Sequence, residues 1–156
     1  MLSSQHAIVG GAVGLATGNP FLGFLAGMAS HHVLDMLPHV DGIPERNEGY
    51  RFSSRASGDW PKSEYIIAYV DSFVTLVILL SVVLHLHDAG KVLVFFSGAI
   101  GGVFPDLMDN VPFWEKRFRQ TKFGSWYHRS VHQKLHFHWN DSHGYKLVLA
   151  MILQIF

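Results

Sequence analysis

The chain has 156 residues, 49% of them hydrophobic and only 15% charged, against about 25% charged in an ordinary soluble domain; that length holds one domain and little more. Twelve basic and twelve acidic residues balance, which excludes the basic footprint of a nucleic-acid-binding protein. There is no cysteine, so disulfides and thiolate ligands are excluded and any metal must be held by nitrogen and oxygen.

The N-terminus carries neither a basic n-region nor a small-residue cleavage site, so no removable signal peptide is expected. His6 is the lone polar group before the first apolar segment, residues 7–17. Gly18-Asn19-Pro20 breaks that segment, and Pro20 suits the first turn of a new helix. The second segment, 21–37, is stopped by Pro38. It ends in Ser30-His31-His32-Val33-Leu34-Asp35. His31 and Asp35 are four apart and share a helix face, so they can present an imidazole and a carboxylate to one ion; the competing reading is a helix-end ion pair. His39 and Asp41, beyond Pro38, either fold back to such a site or stand in a solvated loop.

The third segment, 65–86, contains a single charge, Asp71, and is long enough to cross a hydrocarbon core of roughly 30 Å. Asp71 lies roughly 10 Å into it at about 1.5 Å per residue. An intramembrane carboxylate is a candidate functional group; its alternative is a polar lock against hydroxyls of neighbouring helices. His85, His87 and Asp88 end this segment on the opposite side and read as interfacial. The fourth segment, 92–107, leads into Pro105-Asp106-Leu107-Met108-Asp109. Asp106 and Asp109 are three apart, and two carboxylates so close need a cation, although Asp109 can also be a C-terminal turn residue. In His128-Arg129-Ser130-Val131-His132 the histidines are four apart, a chelating spacing that His132 and His136 repeat. Arg129 beside them can clamp a phosphate bidentately. The competing reading is a cationic amphipathic helix on lipid, which weighs most on His136 and His138. A fifth apolar segment covers 145–156.

Glycines recur at four-residue spacing (Gly10, Gly14, Gly18; Gly23, Gly27; Gly98, Gly102), as where membrane helices approach closely, within one chain or in a homodimer. With five spans, the N-terminus and the polar loops 39–64 and 108–144 share one side. Eleven of the twelve Lys and Arg fall on or next to it, and only Lys91 lies opposite, which makes that side cytoplasmic. The expected fold is therefore all-α: a single domain over 1–156, a compact helical membrane bundle of about five apolar helices plus an interfacial amphipathic segment. A soluble helical bundle is the alternative.

In that topology His6, His31, Asp35, Asp71, Asp106, His128 and His132 gather toward one face as candidate metal ligands. A His/Asp donor set suits zinc, manganese or iron rather than an all-oxygen magnesium or calcium cage, and it can hold one ion or two. Two such ions about 3.5–4 Å apart can activate water and clamp a phosphoryl group, and the expected reaction is hydrolysis of a phosphoester, of lipid type, by a metal-bound hydroxide. Asp106 and Arg129 are the catalytic candidates, Arg129 neutralising developing phosphoryl charge. The alternatives are a non-enzymatic membrane metal carrier or sensor, and a structural protein that docks to lipid or a partner through 108–144.

These blocks resemble bacterial inner-membrane metal-dependent hydrolases of the LexA-regulated type, themselves similar to zinc-dependent phospholipase C. The likeness lies in His6 before a Gly/Ala-rich helix, in the Gly-x-x-Pro-Asp-x-x-Asp block from Gly102 to Asp109, in His128, Arg129 and His132, and in the run from Ser30-His31 through Asp35 to Pro38-His39. It implies a hydrolase in the bacterial inner (plasma) membrane, and the five segments with their Lys/Arg bias make the expected protein multi-pass with a cytoplasmic N-terminus. Two departures stand out: Asp109 is followed by Asn110 where the family commonly has His, and its last histidine pair is usually one residue further apart than His128 and His132.

Overall fold

In a computed structural model, residues 3–37, 39, 62–111 and 114–136 are described. Every element among them is helical: α1 (Ser3–Thr17), α2 (Pro20–Asp35), α3 (Lys62–Leu86), α4 (Ala89–Asp109), α5 (Glu115–Gln120) and α6 (Lys122–Tyr127), followed by a π-helical turn (His128–His132) and a last short turn, α7 (Gln133–Leu135).

Local chemistry sets the corners. Asn19 caps α2, its side-chain oxygen accepting from the Phe21 and Leu22 amides at 2.9 and 3.1 Å, and Pro20 occupies the first turn, where its missing N–H has no cost. Asp88 caps α4 through the Lys91 amide at 2.9 Å. Thr121 caps α6 through the Gly124 amide at 2.9 Å.

The antiparallel pair α1 and α2 packs against α4, and α3 lies along α1 and α4. The three central helices meet backbone to backbone. A Cβ placed on Gly98 would overlap the Gly10 carbonyl oxygen and lie 2.8 Å from Gly14 Cα, and one on Gly102 would overlap the His6 carbonyl. This approach brings the start of α1 and the ends of α2 and α4 to one end of the bundle.

Two of the described helices, rather than the five expected, are long and apolar enough to cross a membrane: Tyr65–Leu86 and Ala89–Asp109. With 15 and 16 residues, α1 and α2 are about 23 and 24 Å long, short of the roughly 30 Å hydrocarbon core. They form a hairpin against α4 instead of two full spans. The fifth apolar segment, 145–156, and most of the 39–64 loop lie outside the described residues.

Burial is inverted relative to a water-soluble domain. Among the described residues, four hydrophobic side chains (Ala7, Val94, Phe95 and Ala99) are buried against nine polar or charged ones. Meanwhile α3 exposes Ile66, Tyr69, Phe73, Leu80 and Leu84. A contiguous apolar surface of this kind is rare on a monomer in water and suits a hydrocarbon surround.

Candidate metal centre

The buried polar groups converge at the end of the bundle where α1 begins and α2 and α4 finish. His6 and His31 are wholly buried and Asp35 nearly so. His6 sits one turn into α1, and His31 and Asp35 occupy one face of the last turn of α2. Asp106 and Asp109 end α4, and His132 closes the π-helical turn. His6 Nε2 is 3.2 Å from Asp35 Oδ1, and His31 Nε2 is 3.0 Å from Asp35 Oδ2. His132 Nε2 is 3.8 Å from Asp35 Oδ2 and 3.6 Å from Asp106 Oδ1. His31 Nε2 also lies 3.9 Å from Asp106 Oδ1.

The outer nitrogens decide what the inner ones present. His31 Nδ1 is 2.9 Å from the Gly102 carbonyl oxygen; a carbonyl only accepts, so Nδ1 carries the proton and Nε2 turns its lone pair inward. His132 Nδ1 donates to Asp109 Oδ2 at 2.7 Å, with the same result. These are the partners that orient metal-bound histidines. Asp109 is itself held by Arg119, whose Nε donates to Asp109 Oδ1 at 2.8 Å and whose terminal nitrogen donates to the Asp109 carbonyl. Lone pairs and carboxylate oxygens thus face one another in a mostly buried cluster, open only at Asp106.

That arrangement suits a cation. Neither ring nitrogen of His6, nor His31 Nε2, makes a hydrogen bond although all are buried, and such groups are ordinarily satisfied. One candidate cation is a proton. Burial pushes His31 down, but Asp35, Asp106 and the Gly102 carbonyl outweigh it and raise the imidazole above its ordinary value. For His6 burial prevails and the value falls. Asp35 is pushed up by burial but held well below the carboxylate range by the His31 and His6 imidazoles beside it. The other candidate is a metal. Two ligands about 2.0–2.1 Å from a tetrahedral ion are about 3.3 Å apart, and the donor separations of 3.0–3.9 Å straddle that length. Three groups of donors each lie within 4.8 Å of one another: His6, His31 and Asp106; His31, Asp35 and His132; Asp35, His39 and His136. These buried His/Asp groups can hold a metal ion.

Five of the seven expected ligands, His6, His31, Asp35, Asp106 and His132, come together. Asp71 stands apart: both its oxygens are 3.3 Å from the Ser4 amide, so it caps the first turn of α1 and ties α3 to it. His128 donates from Nδ1 to Asp109 Oδ2 at 2.7 Å, sharing that oxygen with His132, and belongs to none of the donor groups. Arg129 is exposed. Asp106 is a fifth exposed and accepts from Asn110 Nδ2 at 2.6 Å, so Asn110 orients the carboxylate one turn before it. His39 folds back and is buried, while Asp41, His138 and His143 lie outside the described residues.

Sequence reasoning passed over Arg119 and left Asp109 undecided. Their partnership joins residues ten apart across a break between helices, where no periodic signal exists. Comparison with known protein families, with curated proteins and with solved structures finds no match for this chain.

Proposed function

We propose that this protein is a membrane-embedded metal-dependent hydrolase that cleaves a phosphoester, of lipid type, at the cytoplasmic face of a bacterial inner membrane. The observation that carries the reading is the convergence of His6, His31 and His132 on Asp35 and Asp106, with the outer nitrogens of His31 and His132 already spent on Gly102 and Asp109. The sequence blocks that resemble metal-dependent hydrolases contain the same residues.

His6, His31, Asp35, Asp106 and His132 would hold the ion. Nitrogen and oxygen donors at near-tetrahedral spacing favour zinc, with manganese and iron as the other candidates. When bound, such an ion supplies Lewis acidity toward a phosphoryl oxygen and an activated water at neutral pH. Asp106 is the most exposed carboxylate of the set and is assigned to orient the attacking water and accept its proton. Arg119 is committed to Asp109, and exposed Arg129, next to His128 in the chain, is assigned as the cation for a phosphoryl group.

The choice of a lipid substrate is supported by the surroundings. Trp114, Phe123 and Trp126 are exposed on the segment that follows α4, together with Lys116, Arg117 and Lys122. Aromatic and basic residues in this combination hold a surface at headgroup depth. The bias of Lys and Arg toward the loops on the site's side supports the cytoplasmic assignment.

The test is purification in mild detergent without chelator or histidine tag, elemental analysis, and turnover of phospholipid and simple phosphoester substrates. Zinc, manganese or iron should co-purify, and Asp106→Ala should lose both metal and turnover. Full turnover by metal-free Asp106→Ala protein would overturn the mechanism.

A further inference from the structure

We propose that a second divalent cation binds beside the first, held by His39 and His136 with Asp35 shared between the two. The observation is the third donor group, which lies outside the five-residue cluster except at Asp35. His39 is the first described residue beyond the end of the α2 segment and is 1% exposed. Its Nδ1 donates to the Leu37 carbonyl at 2.7 Å, so its Nε2 presents a lone pair, as His31 and His132 do. His136 follows the π-helical turn by one helical turn, its amide donating to the His132 carbonyl at 3.1 Å. The two Nε2 atoms are 3.3 Å apart, which is about the separation of two nitrogens on one tetrahedral zinc ion.

A neutral histidine pair could instead share a proton at that distance. Two features favour the ion. Asp35 is within ligand reach of both nitrogens, which a simple histidine pair does not require. The spacing along the chain also repeats: His132 and His136 are four apart, as are Asp35 and His39, and in each pair the second residue belongs to the third donor group. A carboxylate common to both donor groups is the usual means of holding two divalent ions about 3.5–4 Å apart, the spacing at which a phosphoryl group is clamped from both sides. The inference rests on the reading that His6, His31, Asp35, Asp106 and His132 hold the first ion.

The full chain in detergent should be loaded with Mn2+ and studied by elemental analysis and electron paramagnetic resonance. The expected result is two equivalents with a spin-coupled spectrum, falling to one equivalent with an isolated six-line spectrum in His39→Ala/His136→Ala protein. One equivalent in both proteins would overturn the second site and leave the first standing. Two equivalents in both would overturn the assignment to His39 and His136. No bound metal in the unaltered protein would overturn both readings. If the double variant does not fold, the unaltered protein at two equivalents decides the matter: a coupled spectrum supports the shared centre, and isolated ions overturn it.

Discussion

Asp109 shows how one residue can govern a site without joining it. Its Oδ2 receives both His128 and His132 at 2.7 Å, and Arg119 balances its charge. Replacing it by Asn leaves the shape but weakens the acceptor, so Asp109→Asn should lose about 10–100-fold in metal affinity, the usual effect of removing such a partner; unchanged affinity in a competition titration would contradict the role. The two histidines should separate sharply. His132→Ala should empty the centre, whereas His128→Ala should keep its metal, and equal losses by elemental analysis would refute this distinction. Binding should also be linked to protons. His31 is raised above 6.5 in the metal-free protein, because Asp35 and Asp106 outweigh the lowering effect of burial, and a metal must displace that proton. Affinity should therefore climb as pH rises through and above 6.5, with proton release visible by calorimetry in buffers of different ionisation enthalpy. Without metal, Asp35 has its carboxyl held below the usual range. It contributes stability present above about pH 4 and lost as the pH falls further.

At the scale of elements, the centre depends on helices that touch through glycine. Gly98 and Gly102 have backbone atoms of α1 where their own Cβ would stand, and backbone cannot rotate away as a side chain can. Gly102→Val should therefore destabilise by about 1–3 kcal/mol or more, and it should also cost metal, because α1 carries His6 away as it moves. A variant with unchanged thermal unfolding in detergent and unchanged metal content would rule out this coupling. The four-residue glycine spacing announced close packing, but it did not say which helices would meet. The break at Gly18-Asn19-Pro20 was legible in full, since Asn19 and Pro20 act on amides within their own turn. The division of 114–136 into α5, α6 and a π-helical turn was not, because apolar periodicity does not record where a helix shifts from α to π hydrogen bonding.

For the described residues as a whole, two helices are of membrane length, α3 turns a largely apolar surface outward, and the polar cluster lies at one end of the bundle. The protein should stay with the membrane pellet after alkaline carbonate extraction, and release into the supernatant would oppose that arrangement. Because the ion would bind only the folded chain, metal at about 1,000 times its dissociation constant should add about 4 kcal/mol of stability. Chelator should then lower the thermal midpoint by several degrees, and an unmoved midpoint would speak against a structural contribution from the metal.

Composition, length and residue spacing alone determined that this chain is helical, that residues 65–86 can cross a membrane, and that His31 and Asp35 share a face. Those properties depend on neighbours within one or two turns. Tertiary structure alone decided which of the seven expected ligands come together. Asp71 reaches the Ser4 amide and His128 reaches Asp109, while His39, left between two readings by its position after a proline, is buried beside His136. The physical reason is that periodicity tells which side chains lie on one helix face. Which faces meet, and at what depth, depends on how closely distant backbones can approach.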